Sequence, residues 1–161
     1  MEQFDASRIY LMGYSLGAKV GLLAAALDGR LAGLAAVAGF DPLRLDTADR
    51  GVEGVRHYSH LHGLIPRLGF FAGHESRVPF DFDAALALAA PRPVLLVAPT
   101  LDRYARIADV REEVVEARKA WTLAGRDAAF TFETPAAFNK FDRKLQERVF
   151  DWLAARLEAG R

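Results

Sequence analysis

The sequence predicts an α/β fold with an open, mostly parallel sheet of about four strands and helices on both faces. Short apolar runs alternate with helical stretches along the chain. The apolar runs are hydrophobic at nearly every position, as expected for parallel strands that are covered on both faces. Consecutive strand and helix units of this kind connect by right-handed crossovers.

Each predicted element follows from a local pattern. The strands are predicted over 8–13 (RIYLMG, from Arg8 to Gly13), 31–39, 94–99 and 129–134. The helices are predicted over 16–27, 81–90, 110–124 and 143–157. The first helix is apolar nearly all round and rich in Ala and Gly, which indicates burial close to the sheet.

The two later helices are amphipathic, and their apolar faces predict core positions. The inward residues are predicted to be Val110, Val114, Val115, Trp121 and Leu123 in one helix, and Leu145, Val149, Trp152, Leu153 and Leu157 in the other. Because both tryptophans lie on these faces, we interpret them as packing residues and not as a sugar-binding platform.

Composition excludes several classes of partner. The chain has 161 residues, of which 52% are hydrophobic, enough for one domain with a sizeable core. The 21 basic and 21 acidic side chains cancel, so we expect neither nucleic-acid nor membrane binding. The chain has no cysteine and neither a long apolar segment nor an apparent export signal at its start, so we expect a soluble, cytoplasmic protein.

Residues 40–77 interrupt the alternation of strands and helices. The segment contains DTADRGVEGVRHYSHLHG and shows no clear hydrophobic period. It is too long for an ordinary connection between two elements, so we interpret it as an irregular excursion over a functional site.

The chemistry-bearing motif is Gly13-Tyr14-Ser15-Leu16-Gly17, a G-x-S-x-G sequence between a predicted strand and a predicted helix. This context predicts a strained turn that exposes the Ser15 hydroxyl. Gly13 and Gly17 are expected there because a side chain at either position would collide with the neighbouring strand and helix. The backbone N–H of Leu16 is the candidate oxyanion donor. One alternative is a serine that only caps a helix. A phosphate-binding loop is the other, but this sequence lacks the Gly-Lys-Ser/Thr that such a loop requires.

Asp102 follows the third predicted strand. In parallel sheets the functional residues lie just beyond the carboxyl ends of the strands, and an acid at this point suits the orientation of a catalytic histidine. The alternative is a loop aspartate that caps a turn or pairs with Arg103.

Three segments together resemble the dienelactone hydrolase and acetyl xylan esterase-like branch of the α/β-hydrolases. They are GYSLG, PRPVLLVAPTLDRYA and the NKF sequence before the last helix. The resemblance covers only the later part of that fold, without its earlier strands and its second oxyanion-hole donor. It implies that Ser15 is the nucleophile, that Asp102 is the acid and that a histidine belongs at the position of Asn139.

An asparagine amide cannot accept a proton from a serine hydroxyl near neutral pH, so Asn139 cannot be the general base. The substitute would come from His57, His60, His62 or His74, and His60 is our preferred candidate. For each histidine taken alone, an ordinary loop or core role is the favoured interpretation. The H-x-x-H-x-H spacing also admits zinc, but it lacks a further ligand and a rigid scaffold, so we predict neither metal nor cofactor.

Two functions remain open from the sequence. The first is a serine hydrolase that acts on a small carboxylic ester through an acyl-Ser15 intermediate, with acetylated carbohydrates as the substrate that the resemblance implies. The second is a degenerate, non-catalytic module that acts in protein interaction. In either case the strand of residues 8–13 should have an unpaired edge with under-covered Leu11 and Met12, which favours self-association or a partner chain there.

Overall fold

The computed structural model describes residues 5–45, 55, 65 and 67–158. The strands are β1 (Tyr10–Tyr14), β2 (Gly33–Val37), β3 (Val94–Val97) and β4 (Phe130–Glu133). The α-helices are α1 (Leu16–Leu27), α2 (Phe82–Ala87), α3 (Ile107–Leu123) and α4 (Arg143–Glu158). Short 3-10 turns cover Leu68–Phe71, Glu75–Arg77 and Asp127–Ala129.

The four strands form one sheet in the order β1-β2-β3-β4, and every neighbouring pair is parallel. Tyr14 pairs with Val37, Val37 pairs with Val97, and Val97 pairs with Glu133. The carboxyl ends of all four strands therefore lie along one edge of the sheet. This confirms the predicted fold class.

The two faces of the sheet carry two separate cores, because side chains alternate along each strand. One face packs against α1, α2 and α3, and its core includes Leu34, Leu96 and Trp121. The other face packs against α4, with Ala35, Val97 and other small or branched residues beneath Val149 and Trp152. Both tryptophans are buried, which confirms their predicted packing role.

Three predicted core positions are wrong. Val115 and Leu123 of α3 are 62% and 89% exposed, and Leu157 of α4 is 40% exposed. The amphipathic pattern placed them on the apolar side of each helix, but the contact stripe is narrower. On α3 it is formed by residues such as Val110, Val114 and Trp121.

The start of the 40–77 segment is held in place by a carboxylate. Asp81, at the start of α2, accepts hydrogen bonds from the backbone N–H groups of Leu43 at 2.7 Å and Arg44 at 2.8 Å. It also accepts one from Phe82 N–H at 2.8 Å, as a helix cap does. The chain that follows β2 is thereby fixed against α2, while the predicted position of the whole segment over the site stays a prediction.

Within the residues that the structure describes, no helix is long and apolar enough to cross a membrane.

β1 is an edge strand of the described sheet. The main-chain oxygen of Ile9 accepts a hydrogen bond from Ala32 N–H, and Ser15 N–H donates to the main-chain oxygen of Val37. Because backbone groups alternate in direction along a strand, those of Tyr10, Met12 and Tyr14 point away from β2. Met12 is 43% exposed, as predicted, whereas Leu11 packs against the core. An edge of this kind can pair with the same edge of a second copy.

We expect the chain to self-associate through this edge, and we expect Met12→Lys to shift the protein toward monomer because a charge on an edge strand opposes pairing. Sedimentation velocity over a concentration series measures the change. Val115→Lys, on the exposed side of α3, is the matched control and should leave association unchanged. A protein that is monomeric at every concentration would contradict this expectation.

Glu113 of α3 lies against the start of α2, where it accepts a hydrogen bond from Asp83 N–H at 3.1 Å. Burial, followed by the negative charges of Asp81 and Asp83, raises the pKa of Glu113 from its ordinary 4.5 to about 8. The folded protein therefore holds this proton more tightly than the unfolded chain does. The stabilisation is complete below about pH 4.5 and is lost as the pH rises toward 8.

Glu113→Gln should remove this loss, because glutamine stays neutral and keeps an oxygen that can accept from Asp83. We expect the variant to match the parent near pH 5 and to exceed it in free energy of unfolding above pH 8. Urea unfolding at the two pH values measures the difference. Glu112→Gln changes the same charge at an exposed position of the same helix and should not flatten the pH dependence.

Candidate functional site

Ser15 lies between the end of β1 and the start of α1, with backbone angles φ 52° and ψ −117°. A non-glycine residue at positive φ is strained by about 1–3 kcal/mol and needs support from its surroundings. Ser15 N–H donates to Val37 O at 2.8 Å, and Ser15 O accepts from Ala18 N–H at 3.0 Å and Lys19 N–H at 3.2 Å. The predicted strained turn is present, and the Ser15 side chain is partly exposed.

Two glycines allow the backbone to close around Ser15. A Cβ at Gly13 would lie 2.2 Å from Gly17 O, and one at Gly39 would lie 2.2 Å from Ser15 O. Gly39 also has φ 68°, which disfavours other residues. The collision predicted for Gly17 is wrong as far as the described residues go, because none has an atom within 4 Å of a Cβ at that position.

The helix that follows Ser15 directs its amino end to the site. Leu16 is its first residue, and Ser15 makes no side-chain capping bond to it. Among the described residues no group accepts a hydrogen bond from the Leu16 N–H. This N–H, with the positive end of the helix dipole, suits the stabilisation of an oxyanion.

Asp102 is buried in the loop after β3, near the same edge of the sheet. Its Oδ1 accepts from Tyr104 N–H at 2.9 Å, and its Oδ2 accepts from the Asn139 amide at 2.9 Å. The aspartate thus combines a turn-capping role, the alternative weighed from the sequence, with a side-chain contact across the site.

Asn139 lies in the loop between β4 and α4 and stands against Asp102, as predicted. Its Nδ2 donates the hydrogen bond that an imidazole N–H would give to an orienting acid. Its Oδ1 is buried, and no described residue donates to it. The contact therefore joins an amide to a carboxylate and contains no group that accepts a proton near neutral pH as a base.

Three of the four histidines considered from the sequence, His57, His60 and His62, lie outside the described residues. His74 begins the turn at Glu75–Arg77, where it is exposed, and its side chain makes no hydrogen bond to a described residue. Over the described part of the chain, no group of three or more possible metal ligands is present.

Two features near the site were not predicted from the sequence. Lys19, one turn into α1, forms an ion pair with Asp41 at 2.7 Å, and both side chains are buried. Lys19 Nζ also lies 5.8 Å from the centre of the Phe82 ring. A charged residue in the otherwise apolar LGAKVGLLAAAL helix was the available signal for this pair. Gly39, two residues after β2, is the other missed feature.

No family model and no curated protein matches the chain. Solved structures do match. An esterase of carbohydrate esterase family 15 from a marine bacterial metagenome aligns with TM-score 0.78 and 18% identity over 96% of this chain. A glucuronoyl esterase of the same family from Caldicellulosiruptor kristjansonii aligns with TM-score 0.76 and 21% identity over 99% of this chain. A putative acetyl xylan esterase from Bacteroides fragilis aligns with TM-score 0.63 and 19% identity over 98% of this chain.

These similarities establish the fold alone: over nearly its whole length the chain folds like part of each of these structures, which are described as esterases. The predicted resemblance is thus confirmed for the fold, and the dienelactone hydrolase part of it stays a prediction. The chain spans 43%, 45% and 44% of the lengths of these three structures.

Substitutions at the three glycines test the packing around Ser15. Gly13→Ala and Gly39→Ala should each lower the free energy of unfolding by about 1–3 kcal/mol, because the added Cβ meets backbone that cannot move aside. Gly17→Ala is the matched control and should be neutral or stabilising by up to about 1 kcal/mol, since it lies in a helix and no described residue comes within 4 Å of the added Cβ. Urea unfolding followed by circular dichroism measures all three, and equal losses would contradict the close contacts.

Proposed function

We propose that this chain carries out serine-type hydrolysis of a small carboxylic ester. The observation that supports the proposal most is the strained Ser15 turn, at the carboxyl edge of a parallel sheet and directly before the amino end of α1. Such a turn presents a hydroxyl and a backbone N–H donor side by side.

In the proposed reaction Ser15 Oγ attacks the ester carbonyl carbon, and the carbonyl electron pair moves onto the oxygen. The Leu16 N–H stabilises this oxyanion. Collapse of the intermediate breaks the ester bond, the leaving alcohol takes up the proton that left Ser15, and an acyl-Ser15 remains. Water then releases the acid and restores the serine.

The proton transfers need a base, and Asn139 cannot supply one. We propose a histidine of the 40–77 segment, with His60 preferred. The esterases that share the fold act on carbohydrate esters according to their descriptions, so an acetylated or uronic carbohydrate ester is the substrate class to test first. Asp102 would orient the base or, through Asn139, hold the edge of the site.

The bond between Asn139 and Asp102 supports a second candidate function. Because the asparagine satisfies Asp102 without any histidine, the chain fits a degenerate module that keeps the fold and acts through protein interaction. The two candidates differ in whether Ser15 is activated.

Labelling by a fluorophosphonate probe distinguishes them. If the chain is a hydrolase, we expect the probe to label the parent and not Ser15→Ala. The labelling rate of His60→Ala should fall by about 10²–10⁴-fold, the factor that a general base contributes. Ser7→Ala is the matched control, since Ser7 is an exposed serine bonded to Asp5, and it should label like the parent.

Asn139→His completes the comparison. A parent that does not label, together with an Asn139→His variant that does, would favour the degenerate module that has lost its base. Absence of labelling in both folded proteins would contradict the proposed hydrolase.

A further inference from the structure

Tyr14, the residue before Ser15, connects the Ser15 turn to the loop that carries Asn139. Its hydroxyl donates a hydrogen bond to the main-chain oxygen of Asn139 at 3.0 Å. Its ring stacks on Phe141, with ring centres 5.5 Å apart and planes inclined by 13°. The loop is therefore held at two points, one on each side of Lys140.

These contacts fix where residue 139 can place its side chain. The main chain of Asn139 is tied to the end of β1, while its amide donates to Asp102 beyond the end of β3. Additional main-chain bonds, from Thr100 to Pro135 and from Leu101 to Ala137, keep the two loops side by side. The Tyr14 bond joins this pair of loops to the end of β1, directly before Ser15.

We propose that Tyr14 is a positioning residue, which sets the side chain at position 139 against Asp102 and beside Ser15. This assignment rests on the proposed function only in treating these three positions as one site. The contacts themselves are independent of any activity.

The electrostatics of Tyr14 suit a permanent donor. Burial, followed by the negative charge of Asp102 and the neighbouring Tyr104, raises the pKa of the Tyr14 hydroxyl above its ordinary value of 10.0. The hydroxyl therefore stays protonated throughout the neutral range and can donate to Asn139 continuously.

A simple packing role for Tyr14 makes a different prediction from a positioning role. Phenylalanine at this position would keep the ring stack on Phe141 and lose only the hydroxyl. Tyr10 offers a matched control because it lies on the same strand and sheet face, and its ring packs edge-on against Trp152 at 6.4 Å. No hydrogen bond of its hydroxyl to a described residue is present.

The first test uses NMR of the protein without any substrate. Hydrogen exchange of the Asn139 side-chain amide should be faster in Tyr14→Phe by roughly fivefold, which corresponds to about 1 kcal/mol for one hydrogen bond. Tyr10→Phe should leave this exchange unchanged. Asp102→Asn, which weakens the hydrogen bond that the side-chain amide itself donates, gives the reference for a freed side chain.

The second test uses the imidazole introduced by Asn139→His. If it is held against Asp102, its measured pKa should lie above the ordinary value of about 6.5, and adding Tyr14→Phe should lower it toward that value. Phe141→Leu removes the ring stack on Tyr14 and should also lower the imidazole pKa. This variant replaces Tyr14→Phe in the test if Tyr14→Phe does not fold.

An unchanged Asn139 amide and an unchanged imidazole pKa in folded Tyr14→Phe would overturn the assignment. Failure of the proposed function shows differently, as absent fluorophosphonate labelling with both NMR effects intact.

Discussion

The site depends on close backbone contact around the strained residue Ser15. Ser15 adopts a positive φ because β1 must turn into α1 within one residue, and Gly39 then lies directly against its carbonyl group. This contact joins the turn to the chain leaving β2, while Gly13 lets the first turn of α1 approach β1. A side chain at either glycine would separate these segments, so the sheet edge and the position of Ser15 are determined together.

Parallel strand order then decides which residues can meet. Since β2 and β3 lie between β1 and β4, Ser15 and Asn139 belong to opposite ends of the described sheet and need a link across its edge. Asp102 joins the loops that follow β3 and β4 by accepting from the Asn139 amide, and Tyr14 joins the second of these loops to the end of β1 through its hydroxyl. Replacing a titratable imidazole by an amide at this crossing point preserves the donor to Asp102 and removes the proton acceptor. Loss of base and retention of local structure are therefore compatible.

Much of the fold could be predicted from the sequence because the signals were local. The bounds of α1 match the prediction, since a glycine-flanked turn precedes it and Asp28 follows it. Strands were predicted one to four residues too long, because the apolar runs extend beyond the residues that pair in the sheet. Val115 and Leu123 were misplaced because an apolar residue on a helix signals burial only when a neighbouring element covers it.

The site was less predictable than the fold. Ser15 and Asp102 follow strands and could be located from position, whereas the pairing of Asn139 with Asp102 was predicted from the resemblance to a known family. Gly39 and the link from Tyr14 to Asn139 could not, because they are tertiary contacts between segments that are far apart in the sequence. The Tyr14 bond, for example, joins residues separated by 125 positions.

The buried ion pair below Ser15 shows how charge restricts this region. Lys19 lies one turn after Ser15 on α1, and Asp41 lies shortly after Gly39, so the pair joins the same two segments that the glycine contact brings together. Removing one partner of a buried pair leaves a charge in a medium of low polarity, a loss that commonly exceeds the net contribution of the intact pair. Asp81 acts similarly further along, since its carboxylate holds the backbone of Leu43 and Arg44 against α2. The chain leaving β2 is thus fixed by backbone contact at Gly39, by charge at Asp41 and by hydrogen bonds at Leu43 and Arg44. This succession gives the strained Ser15 turn a rigid support on the side where α1 begins.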